Sequence, residues 1–151
     1  MNELQELYRE VILDHNRNPR NYPRKPEGTN RTAHGFNPLC GDEFHLHLRV
    51  EDGVIRDVGF EGAGCAISTA SASLMTEALK GKSEEDARRL FASVRGLLMD
   101  APASGEDTER LGKLEVLSGV KEFPMRVKCA TLAWHTMQAA LKNEDEMVMT
   151  E

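Results

Sequence analysis

The chain has 151 residues, of which 40% are hydrophobic and 29% charged, with 19 basic against 25 acidic side chains and a formal net charge of −6. These proportions describe one globular domain and not a disordered chain, and the acidic balance excludes a binder of nucleic-acid backbones. No apolar stretch nears the ~20 residues of a membrane span, and the start "MNELQELYRE" is neither a secretory signal nor a transit peptide, so the cytoplasm is the expected compartment.

Leu4, Leu7, Tyr8, Val11 and Ile12 fall on one helical face behind a candidate cap at Asn2. Four prolines from Pro19 to Pro38 then keep the connection extended or turned. From Glu43 the period changes. Phe44, Leu46, Leu48 and Val50 alternate with Glu43, His45, His47 and Arg49, as in a half-buried strand. Asp52-Gly53 supplies a hairpin turn, Val54, Val58 and Phe60 are expected to share one face of the return strand, and residues 32–36 are a candidate third strand. In "GAGCAISTASASLMTEALKGK", Ile67, Ala70, Ser71, Leu74, Met75 and Ala78 sit at helical offsets and Gly81 ends the element. Ser83 caps a further helix with Leu90, Phe91, Val94, Leu97 and Leu98 inward. Residues 100–109 read as a polar loop and 111–120 as a short apolar piece, and a last helix opens near Pro124 and runs to Leu141. Residues 1–142 are thus expected to form a single α+β domain, a small antiparallel sheet of about three strands with helices packed on it, and 143–151 a frayed tail.

The chemistry lies in three cysteines, an odd number that cannot all pair within the chain. Cys40 lies in the loop entering the long strand, Cys65 begins a helix, and Cys129 lies in the first turns of the last helix. A helix start offers unsatisfied N–H groups, an arrangement that suits a thiolate. Three thiolates leave one position on a tetrahedral zinc-like ion, and Asp42, joined to Cys40 by the pliant Gly41, fits it physically. Arg126 and Lys128 lie close enough in sequence to Cys129 to offset the negative charge. Taken one at a time, each cysteine also reads as an ordinary buried core residue. His45 and His47 form an i, i+2 pair that could bind metal, but their pattern fits a solvated strand face better, and His135 reads as a hydrogen-bonded structural residue of a packed helix.

The segments "YREVILDHNRNPRN", "NPLCGDEFHLHL", "FEGAGCAISTASASLMTEALKGK" and "RVKCATLAW" resemble the U-type iron–sulfur cluster assembly proteins, the IscU/NifU N-terminal-like family. The resemblance implies that family's fold and a single site made of Cys40, Asp42, Cys65 and Cys129. Scaffold-type members carry a histidine just before the third cysteine, where this chain has Lys128, and an "LPPVK" segment that "FPMRVK" does not reproduce. With the 64-residue interval from Cys65 to Cys129, and with Arg126, these departures bring the chain closest to the SufU branch. That branch implies a Zn2+-dependent sulfur acceptor that receives persulfide sulfur from a SufS-type cysteine desulfurase. Cys40 would be the acceptor, Arg126 would assist, and downstream Fe–S assembly proteins would be the recipients. Two alternatives stay open: a scaffold that assembles a transient [2Fe–2S] cluster on the same residues, and a zinc domain whose metal is only structural.

Overall fold

Helix α1 (Glu3–Arg17) opens the chain in the computed structural model, which describes residues 3–38, 41–98, 111–112, 114, 117–118, 123–142 and 148–149. Three antiparallel strands follow, β1 (Arg31–Asn37), β2 (Asp42–Glu51) and β3 (Val54–Ala63). Helices α2 (Ala66–Leu79), α3 (Glu84–Leu98) and α4 (Pro124–Leu141) complete the α+β layout. The sheet order is β3-β2-β1-β4, where β4 (Val148–Met149) pairs in parallel with Gly35 and Phe36 of β1. Part of the tail expected to fray is therefore a short edge strand. No described helix is long and apolar enough to cross a membrane.

The alternation in β2 does what its period requires: Phe44, Leu46, Leu48 and Val50 are buried on one face. In β3 the expected pattern fails at its start. Val50 pairs with Ile55 while Arg49 pairs with Asp57, so Arg56 is an extra residue in the ladder. The bulge puts Ile55 in the core at 0% exposure and leaves Val54 half-buried. Asp52 and Gly53, at φ 52° and 73°, form the turn that joins these strands.

The buried sheet face is covered by α4, which lies on β1 and β2, while α2 packs between α1 and α4. Gly35 sets how closely α4 approaches, because a Cβ there would overlap the Oγ1 of Thr136. Trp134 is fully buried, its Nε1–H donating to Ser71 Oγ at 3.2 Å, and Ser71 in turn donates to the Ala130 carbonyl at 2.6 Å. That relay fixes α4 against α2 one residue beyond Cys129. From α3, Leu90, Phe91, Val94 and Leu98 are buried, as are Leu111, Leu114 and Leu117 of the apolar piece; residues 113, 115–116 and 119–120 of that piece and the 100–109 loop lie outside the described residues.

Candidate metal centre

Asp42 is the first residue of β2 and is completely buried. Its Oδ1 accepts from the backbone N–H of Cys65 at 2.7 Å, which ties the start of β2 to the start of α2. Cys65 is the N-cap of α2, and its sulfur accepts from the Ser68 N–H at 3.4 Å, as the oxygen of a serine cap would. The Asp42 Oδ2 lies 3.9 Å from the Cys65 sulfur. Gly64 makes room for this approach: a Cβ at that position would overlap Ser68 Oγ and come within 3.0 Å of Asp42 Oδ1.

Cys129 reaches the same place from α4. It lies in the first turns of the helix, as expected, but as the sixth residue it is beyond the free N–H groups that a helix start offers. A donor from the sheet stands in for them: Asn37 Nδ2 lies 3.9 Å from the Cys129 sulfur. Asn37 pairs directly with Asp42 across β1 and β2, and both are 0% exposed. The ligand atoms of Asp42, Cys65 and Cys129 all lie within 4.8 Å of one another. Tetrahedral zinc bonds of about 2.0–2.3 Å separate neighbouring ligands by roughly 3.3–3.8 Å. The 3.9 Å between Asp42 Oδ2 and the Cys65 sulfur lies just above that range, and two sulfurs with one carboxylate oxygen are a donor set that suits a zinc-type ion and leaves one position for a further donor. Asn37 and Ser68 are the residues that sequence reasoning missed. The signal for Asn37 is its place five residues before Asp42 across a turn, which pairs the two only once the hairpin register is known.

Cys40 lies outside the described residues, on the β1–β2 connection, where the Gly41 N–H donates to the Asn37 carbonyl at 2.8 Å. Arg126 is exposed, with its guanidinium 4.5 Å from the centroid of the Phe123 ring, and Lys128 is half-buried. The histidine reading needs correction. His47 is 5% exposed, not solvated, with its ring held between Thr32 Oγ1 at 3.1 Å and Glu61 Oε1 at 2.8 Å. Burial pushes its pKa below the ordinary imidazole value, against the opposite pull of Glu61. His135 packs edge-on against Phe91 at 5.1 Å, and burial, with Arg95 nearby, lowers its pKa too. His15 is a buried structural residue, 2.7 Å from Ser73 Oγ.

The profile of the NifU-like N-terminal domain matches residues 7–130. The chain is 40% identical over 142 residues to the zinc-dependent sulfurtransferase SufU of Bacillus subtilis, covering 94% of each. It is 38% identical over 142 residues to the iron–sulfur cluster assembly scaffold protein IscU of Streptococcus pyogenes, covering 94% of this chain and 87% of that one. Among solved structures, a putative iron–sulfur cluster assembly scaffold protein for the SUF system from Fervidobacterium islandicum superposes with a TM-score of 0.78 at 32% identity, covering 91% of this chain and 98% of the other.

Proposed function

The chain belongs to the NifU-like N-terminal domain family of iron–sulfur cluster assembly proteins, and we propose that within it the chain acts as a zinc-dependent sulfur acceptor for a SufS-type cysteine desulfurase. The observation that carries this reading is the convergence of Asp42, Cys65 and Cys129 on one point between β2, α2 and α4. Cys40, from the β1–β2 connection, is the fourth ligand and the acceptor. Bound zinc would keep its sulfur ligands deprotonated at neutral pH.

The protein's own groups divide the remaining work. Asp42 is oriented by the Cys65 N–H, Cys65 is held by the Ser68 N–H, and Asn37 directs a donor at Cys129. These three are held at the start of β2, at the N-cap of α2 and within α4, whereas Cys40 stands beside Gly41 in the sequence between β1 and β2 and is the ligand assigned to leave the metal. The Cys40 thiolate attacks the outer sulfur of the desulfurase persulfide. One S–S bond forms on Cys40 as the desulfurase S–S bond breaks, and the desulfurase cysteine leaves as a thiolate. Arg126, three residues before Cys129 and exposed, assists as a cation toward the incoming negative charge.

Desulfurase turnover compared with zinc-loaded and zinc-stripped protein, under anaerobic conditions with reductant, tests the reading. Acceleration only by the zinc form supports it, and Cys40→Ala then keeps the fold but accepts no sulfur. A scaffold for a [2Fe–2S] cluster is the second reading, favoured by the scaffold-named relative of similar identity. Under it the stripped form takes up iron and sulfide and develops cluster absorbance, while the zinc form leaves the desulfurase unaffected.

A further inference from the structure

On the other face of the sheet a second group of metal-ligating side chains comes together. His34 of β1 and His45 of β2 are direct partners in the antiparallel register, so their side chains leave the sheet side by side. Their rings stack with centroids 4.2 Å apart and planes inclined by 23°. Glu43, two residues before His45 and therefore on the same face, brings its Oε1 to 3.3 Å from His34 Nε2. That nitrogen is shielded from solvent and has no partner aligned for a hydrogen bond, even though the carboxylate is close. The ligand atoms of the three residues lie within 4.8 Å of one another.

We propose that His34, Glu43 and His45 form a second site, for a divalent first-row transition ion such as Zn2+, separate from the cysteine centre and on the opposite face of β2. Two imidazoles and a carboxylate suit such an ion and leave open positions for water. The neighbouring His47 does not belong to it, because both of its ring nitrogens are already engaged by Thr32 and Glu61. With the His34 side chain 32% and the Glu43 side chain 53% exposed, the site exchanges its ion with solvent and closes no core. The site contains no sulfur, so thiol-blocking reagents that destroy the cysteine centre leave it intact. Bound metal ties β1 to β2 three residue pairs from the Asn37–Asp42 end of the hairpin that leads through Cys40.

The test is a calorimetric titration of Zn2+ into the full chain already carrying one zinc. A second, weaker equivalent is expected, and His34→Gln and His45→Gln each weaken it by more than about tenfold. His47→Gln leaves it unchanged, and all variants keep the first equivalent. In the unmutated protein the ring nitrogen signals of His34 and His45 shift in NMR spectra on adding the second equivalent, a readout that does not depend on any variant folding. Absence of a second equivalent, unshifted His34 and His45 signals, or loss of the second equivalent only in His47→Gln would each overturn the assignment. None of these results depends on sulfur transfer or on the cysteine centre being catalytic.

Discussion

Asp42 serves both the fold and the candidate metal centre, and two substitutions separate those duties. Its Oδ1 accepts from the Cys65 N–H at 2.7 Å inside a fully buried site, and its Oδ2 faces the sulfur of Cys65. Asp42→Asn retains an oxygen acceptor of the same shape, so without zinc the variant should unfold within about 1 kcal/mol of the unmutated protein. Asp42→Ala leaves the Cys65 N–H without its acceptor and should cost about 2–3 kcal/mol, or roughly 5–10 °C in Tm for a chain of this size. With zinc the order changes. An amide is a poor zinc ligand, so each tenfold loss of affinity removes about 1.4 kcal/mol of the stabilisation that excess metal provides. The expected outcome of thermal unfolding with and without zinc is an Asp42→Asn variant that matches the unmutated protein when stripped and falls below it when loaded. Full zinc stabilisation of Asp42→Asn would show that the carboxylate is not a ligand. A stripped Asp42→Ala protein as stable as the unmutated one would remove the hydrogen bond from the account of the fold.

Three further perturbations probe the frame around the site. Gly35→Ala drives a methyl into Thr136 Oγ1 and should destabilise the protein by about 1–3 kcal/mol. Thr136→Ala in the same chain should restore part of that in urea unfolding, and no recovery would mean that the clash is not the cause. Ser71→Ala removes the acceptor of Trp134 and the donor to Ala130, so a loss of about 2 kcal/mol and a change in Trp134 fluorescence are expected. Asp57, gripped by the two terminal guanidinium nitrogens of Arg24 at 2.6 Å, is held by that pairing well below its ordinary value of 3.8. Its contribution is therefore complete above that value and declines as the pH falls toward the lower folded-state value. Asp57→Asn should cost about 1 kcal/mol at pH 7, and the gap to the unmutated protein should narrow in unfolding curves taken at pH 3. A gap that widens in acid has the wrong sign for this account.

The sheet and helices were readable because burial follows period. Phe44, Leu46, Leu48 and Val50 of β2 and Leu90, Phe91, Val94 and Leu98 of α3 are buried as their spacing requires. The convergence of Asp42 and Cys65 could be anticipated from a strand start and a helix start, both of which have local signals. What escaped was whatever depends on pairing between distant segments. The extra residue at Arg56 has no mark of its own in the sequence, so strict alternation misplaced Val54. His47 lies on the polar face of β2, yet neighbours from β1 and β3 cover it, and only the register reveals Thr32 and Glu61 as its partners. The same blindness hid the pairing of His34 with His45, and of Asn37 with Asp42. β4 escaped for a related reason: two residues carry no period, and their pairing with β1 is decided from across the fold.

The bulge at Arg56 also determines where this protein tolerates changes in chain length. From Arg49–Asp57 to Glu43–Ala63 the β2–β3 ladder continues without a break, so everything between the bulge and the cysteine centre keeps its parity. A residue gained or lost in the Asp52–Gly53 turn can be absorbed by moving or dissolving the bulge, and Asp42 still faces inward. A single deletion between Glu43 and Arg49 has no such outlet. It would exchange the two faces at the start of β2, turning Asp42 toward solvent and Glu43 toward the sulfurs, and would dismantle the clusters on both sides of the sheet at once. Length variation among related chains should accordingly collect at the turn and be purged from the seven residues from Glu43 to Arg49, which lie between the bulge and the site.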